Sequence, residues 1–126
     1  MTGKALNVIE EEMKSLGLNY AFIKWDDELK YPYWVGEFQD IPISDESGQH
    51  DSVFILKGYT RGLWNDLISE TEKIRENFDM VTGKTVIADD GSAVAVFYLS
   101  SSVVNTVDAE LKKMQINLDV KEWSVS

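Results

Sequence analysis

Cysteine is absent from the 126 residues, which excludes disulfides, thiolate zinc sites, iron–sulfur ligation and a cysteine nucleophile together. Histidine occurs once, at His50, so imidazole clusters for metal or for acid–base relay are excluded as well. No apolar run approaches the ~20 residues of a membrane span. Met1-Thr2-Gly3-Lys4 leads into a polar helical pattern rather than an apolar signal segment. A soluble chain with no membrane partner, remaining in the cytoplasm where it is made, is the expectation. Basic residues are scarce too: 12 Lys and Arg against 22 Asp and Glu give a net charge of −10. That balance argues against direct nucleic-acid binding, because phosphate would be repelled.

What is present suits one folded unit. Hydrophobic residues make up 44% of the chain, enough for a single α+β domain over residues 1–126 that buries roughly two-thirds of its unfolded surface. The acids are spread along the chain without an acidic tail, and the short run Glu10-Glu11-Glu12 falls on the solvated face of a helical pattern. A protein that mimics DNA with carboxylates would cluster them more.

Ala5, Val8, Ile9, Met13 and Leu16 recur at helical spacing, with Thr2 placed as a cap and Gly17 as a terminator. A first helix is predicted over 3–16. Leu18 to Trp25 is rich in aromatic and β-branched residues and reads as a strand, with a partner next in sequence. Residues 33–43 form that second strand, with Trp34, Gly36 and Phe38 on one face and a bulge or strand end near Pro42. The polar segment Ser44 to His50 joins it to Val53–Tyr59 as a hairpin with a long tip. Thr60 is then expected to cap a second helix whose stripe is Leu63, Trp64, Leu67, Ile68, Ile74 and Phe78.

Asp89-Asp90-Gly91 separates β-prone runs at 81–88 and 92–99 and predicts a second hairpin. The later run is apolar on both faces, as in a strand covered on both sides. Residues 100–108 read as a loop, and the alternation of Met114, Ile116, Leu118 and Val120 predicts a last strand ending near Trp123. The resulting fold class is α+β, a mainly antiparallel sheet with two helices packed on one face. The other face is then left for contact with a partner or another subunit.

Motifs for chemistry do not assemble. Gly83-Lys84-Thr85 resembles the end of a phosphate-binding loop, yet position 78 is Phe78 rather than glycine and strands flank the triplet. His50 sits in a polar loop without a placed partner. Asp45, Glu46 and Asp51, or Asp89 and Asp90, lack the spacing of a calcium loop. No catalytic, metal or cofactor residue is assigned, no cofactor is expected, and the chain is read as not an enzyme. The aromatic group Trp25, Tyr31, Tyr33, Trp34, Trp64 and Trp123 is dense enough for a contact surface, with Trp64 and Phe38 expected in the core. Arg61 lies at the start of the second helix, where the dipole disfavours a cation, so its placement points to a contact.

Tyr31-Pro32-Tyr33-Trp34-Val35-Gly36-Glu37, Phe54-Ile55-Leu56-Lys57-Gly58-Tyr59-Thr60-Arg61-Gly62-Leu63-Trp64 and Ile116-Asn117-Leu118-Asp119-Val120-Lys121-Glu122-Trp123 together resemble small tail proteins of long-tailed phages and prophages of Gram-positive bacteria. The type resembled is the tail terminator or tail completion (head–tail joining) protein. The resemblance implies a structural role. Several copies, six by expectation, form a ring at the head-proximal end of the tail tube, stop its polymerisation and present a surface to the head connector. It implies as partners other copies of the chain, the tail tube protein and head connector proteins. It implies as location the host bacterial cytoplasm during assembly and then the virion tail. Candidate protein contacts are Tyr31, Tyr33 and Arg61, with Asp45, Glu46 and His50 of the hairpin tip. The alternative is an acidic protein-binding module, a DNA-mimic-like inhibitor of a host DNA-binding protein, motivated by the charge of −10.

Overall fold

The computed structural model describes residues 1–44 and 49–124. Two helices and six strands follow one another as α1 (Gly3–Ser15), β1 (Tyr20–Phe22), β2 (Tyr33–Ser44), β3 (Gln49–Thr60), α2 (Trp64–Asn77), β4 (Lys84–Ile87), β5 (Ala93–Val104) and β6 (Lys112–Trp123). The strands form one sheet in the order β1-β2-β3-β6-β5-β4. Only β1 and β2 pair in parallel; the other neighbours are antiparallel. Both helices pack on the same face. Ala5, Ile9 and Met13 of α1 and Leu67 and Ile74 of α2 join Phe54, Leu56, Val96, Ile116 and Leu118 of the sheet in one buried cluster. The α+β class read from the sequence is the architecture found.

Local chemistry explains the ends of α1. The Thr2 hydroxyl accepts the N–H of Ala5, and Glu122, buried at the end of β6, accepts the N–H and the hydroxyl of Thr2. A carboxylate at a helix N-terminus also complements the dipole. At the other end Gly17 takes a left-handed φ of 76°. The N–H groups of Gly17 and Leu18 then donate to Lys14 and Met13 carbonyls, so the free carbonyls of the last turn are satisfied.

Two glycines on the helix-facing side of the sheet make room for the largest core rings. Gly58 lies opposite Trp34 in the β2–β3 register, and a Cβ there would sit 2.6 Å from the indole. Gly36 likewise leaves space for the ring of Phe54. Trp34 is fully buried, and its indole N–H donates to Glu70 of α2 at 2.9 Å. Burial raises the Glu70 pKa, only partly offset by that hydrogen bond.

Several expectations are corrected. The first strand is three residues long and parallel to β2, because Ile23 turns the chain with a φ of 72° and Lys24 N–H bonds back to Phe22. Thr60 does not cap α2: it is the buried end of β3, its hydroxyl accepts Gly62 N–H, and Leu63 holds the cap position without a side-chain bond. With the helix starting later, Leu67, Thr71 and Ile74 face inward, Phe78 just beyond its end is buried, and Leu63 and Ile68 are exposed. The strand expected over 81–88 begins only at Lys84, since the Asp79 carboxylate takes the N–H groups of Val81 and Thr82 in a turn.

The segment expected as a loop after residue 99 is instead strand as far as Val104. A bulge between Tyr98 and Ser100 absorbs one residue and lets β5 continue along β6. On the helix side of β5 Val94, Val96 and Tyr98 join the core, and on the other side Ala95 is buried as well. Phe97 on that other side lies half-buried against Gly83, where a Cβ would approach its ring to 2.6 Å. Phe38 is not a core residue either; it is 37% exposed and stacks on Phe22 at 6.1 Å, because β1 ends before it can be covered.

Candidate protein-contact surface

Strand alternation assigns the sheet face away from the helices to Tyr33, Val35 and Glu37 of β2, Val53, Ile55, Lys57 and Tyr59 of β3, and the polar positions Gln115, Asn117, Asp119 and Lys121 of β6. These residues are half-buried. The face carries paired charges. Lys57 reaches Glu37 at 2.6 Å, a hydrogen bond that raises the lysine pKa, and burial raises that of Asp119.

At one end of this face the aromatic residues meet. Tyr33 stacks on Tyr59 with centroids 5.1 Å apart, lies 5.4 Å from Trp25 and 5.6 Å from Tyr31. Lys113 of β6 places its ammonium 5.3 Å from the Tyr59 ring centre, a cation–π contact. Arg61 closes the cluster: its guanidinium bonds Asp108 at 2.7 Å, and this bond, with the Tyr31 side chain nearby, raises its pKa. The same ion pair holds the Asp108 carboxyl below its ordinary range. Burial, then the neighbouring tyrosines, raises the pKa of Tyr33.

Three strands and three connections build the cluster. Tyr33 starts β2 and Tyr59 lies near the end of β3, so antiparallel pairing puts them directly opposite each other. Tyr31, across a cis peptide bond from Pro32, and Trp25 come from the β1–β2 connection. That connection stands over the sheet and leaves an open groove of about 310 Å³ lined by Ile23, Trp25, Leu29, Tyr33, Val35 and Tyr59. Ile23 holds its groove position at a cost, since a β-branched residue in the left-handed region is strained. Its N–H donates to Gly36 at 2.8 Å.

Tyr31, Tyr33 and Arg61, predicted as contacts, are therefore brought together. His50 is not among them: it opens β3 opposite Glu122 and Ser44, so the length of the strand sets it about 30 Å from Tyr59. Asp45 and Glu46 lie outside the described residues. Tyr59, Lys113 and Asp108 were missed. For Tyr59 the signal existed, since alternation from Phe54 and Leu56 places it on the other face; the pairing of Asp108 with Arg61 had none. Among the described residues no group of three or more His, Asp or Glu side chains is arranged to hold a metal ion, and no helix is long and apolar enough to cross a membrane. Tyrosine, tryptophan and arginine, held rigid and partly desolvated, are the side chains that contribute most at protein interfaces.

No family model matches the sequence, and no curated protein matches it. Among solved structures, a chain from the virion of a native gene transfer agent particle is similar, with a TM-score of 0.63 over 96% of this chain and 90% of that chain, at 10% identity. At that identity the likeness shows a shared fold, extending over nearly the whole of both chains.

Proposed function

We propose that the protein is a structural component of a phage-like virion, acting as a tail terminator or head–tail joining subunit that assembles as a ring at the end of the tail tube. The observation that carries this reading is the fold shared, nearly end to end, with a chain of a gene transfer agent virion. The aromatic and arginine cluster supports it, because a rigid, partly exposed surface of that composition suits protein contact rather than chemistry on a small substrate. In this reading the partners are further copies of the chain, the tail tube protein and the head connector. Assembly takes place in the bacterial cytoplasm and the mature location is the virion tail.

The charge of −10 has a role in the same account. It keeps free copies apart and lets DNA pass a negatively charged lumen without adhering. The test is deletion of the gene in the strain that encodes it, followed by electron microscopy of the particles released. Tails of uncontrolled length, or tails not joined to heads, are expected; normal, infectious particles would overturn the proposal.

A further inference from the structure

From Gly91 to Val107 the sequence contains no charged residue, the longest such stretch in a chain of which 27% is charged. Burial accounts for its first half, because Val94, Val96 and Tyr98 belong to the core. It does not account for the second. Leu99, Ser100, Ser101, Ser102 and Val103 are exposed, Val103 by 58%, and they form the outer edge of β5 beyond the reach of β4, which pairs only with Ala93–Val96. Among the described residues β6 is the only strand beside this part of β5. Sheets ordinarily guard such an edge with lysine, proline, an inward charge or a cover; here the bulge at Leu99 marks only the start of the exposed run, and among the described residues none of the other devices is present.

The opposite border of the sheet is open as well. β1 pairs with β2 only as far as Gly36, so among the described residues no strand lies beside the outer edge of β2 from Glu37 to Ile41, ahead of Pro42, which has no N–H to offer. Both acids of this edge are already paired, Glu37 with Lys57 at 2.6 Å and Asp40 with the N-terminal amine.

We propose that these two edges are the subunit contact: the β5 edge Leu99–Val104 of one copy adds to the β2 edge Glu37–Ile41 of a second copy of this chain, extending the sheet from subunit to subunit. Electrostatics selects the occupant. A chain of −10 can approach its own copy only where like charges do not meet, and the uncharged β5 edge is the longest place that satisfies this. Geometry makes the contact repeat. The edges lie on opposite borders of one sheet, so each added copy again exposes one of each, and a head-to-tail contact of that kind closes a ring when its rotation permits. The assignment rests on the ring reading above and gives that ring its interface.

Because the chain lacks cysteine, single thiols report the contact directly. Protein carrying Ser102→Cys and protein carrying Gln39→Cys are mixed in equal amounts at high concentration and treated with a short bis-maleimide. The mixed dimer is expected to form at least about tenfold faster than either self-dimer, which corresponds to ~1.4 kcal/mol of preference. Adding Leu99→Lys and Val103→Lys to the Ser102→Cys protein, at two side chains that face solvent, is expected to remove the cross-link while leaving the circular dichroism spectrum unchanged. Amide exchange over 99–104 in the unmodified chain is expected to slow as concentration rises, which tests the edge without any substitution. Cross-linking that survives the lysines, or self-dimers of Ser102→Cys in equal yield, would overturn the assignment. If rings form in native mass spectra despite the lysines, the edge is wrong and the ring reading stands. If wild-type amides over 99–104 exchange equally at all concentrations and no cross-link appears, the edge fails, and the deletion phenotype decides separately on the virion role.

Discussion

Replacing Gly58 by alanine tests how the sheet and α2 are locked together. The added Cβ would lie 2.6 Å from two indole carbons of Trp34 and 2.7 Å from a third, whereas carbon atoms pack at about 3.5–4.0 Å. The ring must therefore retreat by about 1 Å. Trp34 is fully buried and its N–H reaches Glu70 at 2.9 Å, so the retreat also takes that bond beyond hydrogen-bonding distance. Overpacking of this kind costs ~1–3 kcal/mol, and loss of a bond to a charged acceptor adds ~1–2 kcal/mol. The stiffer unfolded chain returns ~0.5–1 kcal/mol. A net loss of about 1–4 kcal/mol is expected in urea unfolding followed by tryptophan fluorescence. The same substitution made in a Trp34→Leu background should cost little, because the obstructing ring is gone. A loss below about 0.5 kcal/mol, or an equal loss in both backgrounds, would refute the reasoning.

Other expectations follow from the same contacts. Glu70→Gln keeps an acceptor for the Trp34 indole and removes a carboxylate that burial penalises, so stability at neutral pH should hold or rise, whereas Glu70→Ala leaves the indole N–H unpaired and should cost ~1–3 kcal/mol by the same urea assay. Asp40, Asp79, Asp90 and Asp108 all have lowered pKa values; in each the unfolded chain takes up protons first, so their stabilisation is present above the ordinary carboxylate range near ~4 and is lost as pH falls through the folded values. Glu70 and Asp119, with raised values, act in the opposite sense and gain as pH falls towards that range. The thermal midpoint should therefore stay level or rise slightly on mild acidification and drop only below about pH 4. Ile23→Gly relieves the left-handed strain at φ 72° and should change stability by less than about 1 kcal/mol, yet loosen the groove wall, read as faster amide exchange over 23–30. Arg61→Ala combined with Tyr33→Ala should leave the melting temperature within a few degrees while abolishing complementation of the deleted gene.

Where local chemistry decides conformation, the sequence was legible. Thr2 and Gly17 mark α1 because capping is settled within a turn. Asp89-Asp90-Gly91 marks the β4–β5 turn, with Gly91 at a φ of 87° and the Asp90 carboxylate accepting Ser92 N–H. The strand continuing through Ser100-Ser101-Ser102-Val103-Val104 was illegible because three consecutive serines lack the alternation of a half-buried strand and Leu99 to Val103 are all exposed. The end of β1 was hidden for a related reason: nothing in Ile23 itself announces a left-handed residue. At the candidate site, Tyr31, Tyr33 and Arg61 could be singled out by residue type and position. Their convergence depends on the Tyr33–Tyr59 register and on Asp108 arriving from the β5–β6 connection, neither of which local patterning contains. The twelve residues of β3 likewise set His50 at the far end of the sheet from Tyr59.

Locating the chain in particles released by the strain that encodes it decides whether it is a built-in part of a virion. Gradient-purified particles are digested for peptide mass spectrometry, and intact ones are labelled with an antibody against the chain for electron microscopy. Peptides are expected to co-sediment with the particles at a stoichiometry of a few copies each, with label confined to the junction of head and tail. Particles that carry heads and tails but none of this chain would contradict the virion role.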